Sequence, residues 1–96
     1  MQLRINLIKE EIEETFDAIK NNDLVGIADG ITDSIVVLLG LAVMCGININ
    51  PIWDEVHRTN MAKKDGFVRA DGKKLKPDGW QPPRIAELLK MQRITE

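Results

Sequence analysis

Residues 10–33 read EEIEETFDAIKNNDLVGIADGITD, and the fold turns on this stretch. It carries two acid pairs at helical spacing, Glu11 with Glu14 and Asp29 with Asp33. Either spacing sets both carboxylates on one face of a helix. Between the pairs lies Asn21-Asn22-Asp23, a break in which Asn22 or Asp23 can cap the helix that follows. The stretch therefore reads as two helices joined by a short connection, each presenting two acids. Oxygen ligands with no His or Cys beside them suit Mg²⁺, or Mn²⁺ in its place, rather than zinc.

Towards the N-terminus, the first helix is expected from about Leu3 to Lys20. At about 100° per residue, Leu3, Leu7, Ile8, Ile12, Thr15, Phe16, Ala18, Ile19 and Ile5 form an apolar arc. Glu10, Glu13, Asp17 and Lys20 gather on the opposite, solvated side. Glu11 falls between Leu7 and Ile8, and Glu14 between Leu3 and Leu7. Carboxylates on the core side need a partner, because an unpaired buried charge is costly.

Towards the C-terminus, the second helix should run from about Leu24 to Cys45 and stop at Gly46. Its second half is apolar nearly all round, so it must be enclosed on every side. A chain this short can hardly do that alone, which implies a second subunit over this helix. Asp29 and Asp33 share a line with Val36, Gly40 and Met44, so they too are expected to face packed protein. Gly40 admits a close approach. The apolar run from Ile35 to Cys45, broken only by Gly40, is too short to span a bilayer and reads as a buried helix.

A third helix is expected to be capped by Asn50, with Pro51 at its first position, and to run to about Lys64. Ile52, Trp53 and Val56 form its core arc, with Thr59, Asn60 and Lys63 inside or beside it. His57, the single histidine, lies at the arc's edge and reads as structural. Residues 66–83 then form a loop, or a short hairpin around Asp71-Gly72. This segment carries Arg69, Lys73, Lys74 and Lys76, and Trp80 either stacks on a base or anchors the tail. A last helix runs from Ile85 to about Met91. The whole is expected to be one all-α domain, residues 1–96, with a helical core over 1–64 and a tail over 65–96.

Composition agrees with a globular chain: 44% hydrophobic and 29% charged over 96 residues. Folding at that length buries about 64% of the unfolded surface, so oligomerisation would help. The charge is divided. Residues 1–35 carry a net −5 and residues 36–96 a net +3. That division does not suit a nucleic-acid polymer, which needs one concentrated basic face. It suits a metal site with a separate phosphate clamp. Cys45 is the one cysteine, its neighbours are apolar, and no leader is apparent. A buried thiol in a reducing, cytoplasmic setting is the expectation.

The runs RINLIKEEIEE and IADGITDSIVVLLGLAVMCGI resemble the all-α nucleotide pyrophosphohydrolases, the superfamily of MazG, dimeric dUTPases and phosphoribosyl-ATP pyrophosphohydrolase. DEVHRTNMAKKDG and DGKKLKPDGWQPPRI are similar to its small phage and bacterial members. The resemblance implies a helical bundle completed by pairing into dimers or tetramers. It also implies Mg²⁺-dependent cleavage of a nucleoside triphosphate between its α and β phosphates. Glu11 and Glu14 match the first motif, E-x-x-E, and Glu10 the acid that often precedes it. Asp33 matches the last acid of E-x-x-D. Asn60 and Lys63 match inward polar positions of the third helix.

On that resemblance Glu11, Glu14, Asp29 and Asp33 hold the metal. Glu14 or Glu10 orients the attacking water, and Asn60, Lys63 and Lys76 bind substrate. Two departures stand out. Gly30 occupies the place of the Glu in E-x-x-D, so Asp29 or a water takes over there. Val36 stands where Tyr is common. The chain also begins almost at the first motif, without the leading helix of longer members. Two other readings remain: a non-catalytic nucleotide- or metal-binding protein of the same fold, and a purely structural helical oligomer.

Overall fold

The structure, a computed structural model, describes residues 1–63, 69–73 and 76–93. It is all-α. Helix α1 spans Gln2–Lys20, α2 Leu24–Met44, α3 Ile49–Ala62 and α4 Ile85–Gln92, with no strand among the described residues. The chain forms two compact units, Met1–Gly46 and Ile47–Glu96.

The first unit is the α1–α2 hairpin. Asp23 is the cap: its carboxylate accepts from the Gly26 N–H at 3.0 Å. Asn22 turns the chain at φ +53°, a left-handed conformation that Asn tolerates better than most residues. The helices run antiparallel and touch closely at glycines. A Cβ on Gly26 would lie 3.0 Å from the Ala18 Cβ, and one on Gly30 would lie 3.1 Å from the Thr15 Cα. Near the open end, a Cβ on Gly40 would lie 2.7 Å from the Arg4 guanidinium, which is what Gly40 admits. Gly46, at φ +70°, ends α2 as expected.

Within its own unit α2 is not enclosed. Gly30 and Ala42 are its buried residues, while Val36 is 60% and Val43 80% exposed. The physical reason is that α1 covers one side only. Cys45, expected to be buried, is exposed for the same reason. Taken whole, α2 has 21 residues and a mean hydropathy of 1.9 over its most apolar part, so it is long and apolar enough to cross a membrane. The apolar run from Ile35 is only part of this helix, which extends back through Asp29 and Asp33 to Leu24. A core helix of a soluble protein meets the same criterion.

In the second unit α3 begins earlier than expected. Asn48, not Asn50, is its cap, with Oδ1 accepting from the Asn50 N–H at 3.3 Å. Pro51 still falls in the first turn, where a missing N–H removes no helical hydrogen bond. α4 returns antiparallel and is clasped at both ends. Near its end, the Gln92 amide pairs with the backbone of Asn48, accepting from its N–H at 3.0 Å and donating to its carbonyl at 2.9 Å. At its start, the Arg84 N–H donates to Glu55 Oε2 at 2.7 Å. Trp53, expected in the core, is 70% exposed, because the tail meets the opposite Glu55 and Thr59 positions of α3 instead, through Arg84 and Trp80.

The connection between α3 and α4 holds a tight turn at Asp71-Gly72. The Gly72 N–H donates to the Arg69 carbonyl at 2.9 Å, and the Arg69 N–H to the Lys73 carbonyl at 2.8 Å. The strands of the hairpin alternative need residues 64–68 and 74–75, which lie outside the described residues.

Candidate active site

Glu11 is half-buried on α1, one turn before Thr15. The Thr15 hydroxyl donates to the Glu11 carbonyl at 2.7 Å. That bond holds the Thr15 side chain in the place where a side chain on Gly30 would stand. The Glu11 carboxylate is poorly provided for. Its Oε2 is enclosed and accepts no hydrogen bond from the described residues. Burial raises its pKa above the ordinary carboxylate range, and the negative charges of Glu14, Asp33 and Glu10 raise it further. The structure thus brings Glu11, Glu14 and Asp33 into electrostatic contact across the two helices.

The other acids are more open than the helical wheel suggests. Glu14 and Asp29 are exposed, and Asp33 is half-buried. The helical wheel gives α1 a broad covered arc, but α2 covers a narrower strip through Arg4, Glu11, Thr15 and Ala18, and Glu14 lies outside it. Glu14 and Asp29 border one open cleft of about 270 Å³ above the α1–α2 connection, with Asp17, Asp23 and Gly30. Glu14 also borders a second cleft of about 400 Å³ along α1, with Asn6, Lys9, Glu10, Glu13 and Asp17. Glu10 is therefore beside Glu14, although it sits on the solvated side.

In this conformation no three acid, His or Cys side chains among the described residues close into an ion-sized cage. The donor chemistry nonetheless fits a hard divalent cation. It consists of carboxylates from two packed helices, one with an oxygen that the protein leaves unsatisfied.

In the second unit Asn60 is exposed and lines a small crevice of about 110 Å³ with Trp53, Val56 and His57. Lys63 is half-buried at the end of α3 and Lys76 is exposed. Both ammonium groups rest on the Trp80 ring, at 4.9 and 4.7 Å from its centre. Trp80 itself is tied down, its indole N–H donating to the Thr59 carbonyl at 2.7 Å. Of the two sequence alternatives for Trp80, the structure shows the anchor.

Sequence reasoning passed over Glu55. It is 9% exposed and accepts from Arg58 Nε at 2.8 Å, Arg58 Nη2 at 3.2 Å and the Arg84 N–H at 2.7 Å. The Arg58 hydrogen bonds and then the Arg84 N–H pull its pKa down to about 2. The Glu55–Arg58 spacing of three was the available signal, but it does not distinguish a surface pair from a buried clasp. Arg4 was passed over as well: its Nε is enclosed without a partner, beside Gly40.

Comparison with known proteins agrees with the all-α fold. A family model described as phosphoribosyl-ATP pyrophosphohydrolase matches residues 1–60, which cover the hairpin and most of α3. Among curated proteins, the uncharacterized protein L479 of Acanthamoeba polyphaga mimivirus is 40% identical over 50 residues. That alignment covers 52% of this chain and 20% of the relative, so the chain spans about a fifth of the relative's length. With the family model covering well over half of its residues, the chain belongs to the phosphoribosyl-ATP pyrophosphohydrolase family, within the MazG-like all-α pyrophosphohydrolases.

Proposed function

We propose that this protein is a Mg²⁺-dependent nucleoside triphosphate pyrophosphohydrolase that cleaves between the α and β phosphates. The family supports hydrolysis of a pyrophosphate bond. The observation that carries the finer reading is Glu11: a half-buried carboxylate, crowded by Glu14 and Asp33, with one oxygen unsatisfied. Such a group is costly unless a cation completes it.

Glu11, Glu14, Asp29 and Asp33 are the residues that would hold the ion. When bound, Mg²⁺ supplies charge neutralisation and polarisation of a phosphoryl oxygen. Glu14, or Glu10 beside it, accepts the proton of the attacking water. Water oxygen bonds to the α-phosphorus, the bond to the bridging oxygen breaks, and pyrophosphate leaves with the electron pair. Lys63 and Lys76 supply positive charge to phosphate oxygens, and Asn60 supplies an amide to substrate. A second copy of the chain over α2, in a dimer or tetramer, and a cytoplasmic setting complete the reading.

The test is a panel of nucleoside triphosphates with Mg²⁺, run on the wild type and Asp33→Asn together. Pyrophosphate and monophosphate from the wild type, reduced about a hundredfold or more in the variant, is the expected result. No pyrophosphate from any substrate with folded protein sinks the reading.

One observation favours a second reading, a nucleotide-binding protein without turnover. Thr15 packs against Gly30, so the acid that E-x-x-D places there has no room. In that case calorimetry registers nucleotide binding while the same panel yields no product.

A further inference from the structure

Lys63 and Lys76 come from the end of α3 and from the tail, yet both ammonium groups meet at one indole. Among the described residues neither is in an ion pair; the pairs present join Arg58 and Arg84 to Glu55, Arg84 to Glu87, and Arg69 to Asp71. Two cations near one ring repel each other, and the ring's negative faces offset part of that repulsion. The ring is itself fixed. The last turn of α3 tightens, with the Lys63 N–H donating to the Asn60 carbonyl at 3.1 Å. The Thr59 carbonyl is thereby left without its helical partner, and the Trp80 N–H takes it at 2.7 Å. Trp80 is thus bolted to the helix end and carries two ammonium groups that form no ion pair among the described residues.

We infer that Trp80 is a positioning residue that holds Lys63 and Lys76 as a paired cationic clamp for a phosphate chain. The ligand that matches two ammonium groups gathered at one ring is a linear di- or triphosphate, which carries several anionic oxygens along its length. A single monoanion satisfies only one. The inference rests on the reading of Lys63 and Lys76 as phosphate-binding, and it adds the ring that organises them.

The probe is inorganic tripolyphosphate, bound in the presence of EDTA so that neither metal nor turnover contributes, and followed by calorimetry. The wild type is expected to bind, more weakly as salt rises. Trp80→Leu, which keeps apolar bulk but loses both the π face and the indole N–H, is expected to bind about tenfold more weakly, and Trp80→Phe, which keeps a π face but loses the bond to Thr59, to fall between the two. In a Lys63→Met/Lys76→Met background, Trp80→Leu should cost nothing further. A loss of equal size in that background makes Trp80 a mere anchor and overturns the inference, as does wild-type binding by Trp80→Leu.

A second measurement leaves Trp80 intact. With exposed Trp53 replaced by Phe, emission reports Trp80 alone, and tripolyphosphate should shift it only when the two lysines are present. No shift overturns the clamp. Tripolyphosphate binding alongside a silent hydrolysis panel removes the enzyme reading and leaves the clamp standing. Turnover that is indifferent to Trp80→Leu does the reverse.

Discussion

Glu11 is a residue whose charge its surroundings oppose. Its folded pKa lies above its ordinary value of 4.5, through burial and through Glu14, Asp33 and Glu10. A group raised on folding favours the folded state most below its unfolded pKa and loses that advantage as pH rises through the folded value. Metal-free protein should therefore be more stable near pH 4.5 than at neutrality as far as this group decides. Glu11→Gln should raise the metal-free Tm at pH 7 by a few degrees, and Mg²⁺ should raise the wild type's Tm but not the variant's. A thermal melt with and without Mg²⁺ reads both. A variant that melts lower than wild type without metal refutes the idea that the acids repel. Glu55 has the opposite sign. Its folded pKa is about 2 against 4.5, so its contribution is present above pH 4.5 and fades as pH falls towards 2. Urea unfolding at a series of pH values should show Glu55→Gln less stable than wild type at neutrality, the gap closing across that window. Arg84→Ala keeps the backbone N–H and removes the 3.7 Å pair with Glu55 and an exposed 3.9 Å pair with Glu87, so its profile should follow wild type.

Between helices, the decisive contact is a seam of small residues. Ala18 meets Gly26 and Thr15 meets Gly30, which sets Glu11 beside Asp33 one step further along. Gly30→Ala gains up to about 1 kcal/mol of helix propensity. It also forces a Cβ to 3.1 Å from the Thr15 backbone, an overpacking that costs about 1–3 kcal/mol. Backbone cannot swing aside as a side-chain tip can, so the net change should be destabilising by about 1 kcal/mol, several degrees in Tm. Gly30→Glu, which writes the familiar E-x-x-D into α2, should cost more and raise no activity unless Thr15 is reduced too. A chemical denaturation series on the two variants checks the order. This seam also shows what was legible in the sequence. Helix identity followed from the 3.6-residue period and from breakers such as Gly46, and Asp23 was among the caps anticipated. The Glu11–Glu14 spacing was visible, but the exposure of Glu14 was not, because a wheel shows which residues share a face and not how wide a strip the neighbour covers. The cap of α3 was misplaced because Asn48 and Asn50 are equally good capping residues, and only the path of the chain separates them. Glu55, Arg84 and the Thr59–Trp80 bond join positions far apart in sequence, and no periodic pattern announces such pairs.

For the whole chain, the apolar surface of α2 is the fact that composition alone foretold and a single copy does not resolve. Val36 and Val43 are 60% and 80% exposed in a helix long and apolar enough to be a core helix or to cross a membrane. An exposed apolar surface of that kind marks a contact, and the chain's size leaves it short of core. The proposed second copy over α2 would supply that core, and it would make stability depend on protein concentration by mass action. Val43→Glu separates the alternatives. On a free helix surface, Glu is at least as good a helix former as Val, so the change should fall within about 0.5 kcal/mol. Beneath a second copy, it places an unpaired carboxylate in an apolar interface, which is costly. Sedimentation equilibrium should therefore give a dimer or tetramer for wild type and a shift towards monomer for Val43→Glu. The wild-type Tm should rise with protein concentration, and that dependence should weaken in the variant. A wild type that is monomeric at all concentrations, with a Tm that Val43→Glu leaves unchanged, means that nothing covers α2 in solution, and the enclosure inferred from its composition is wrong.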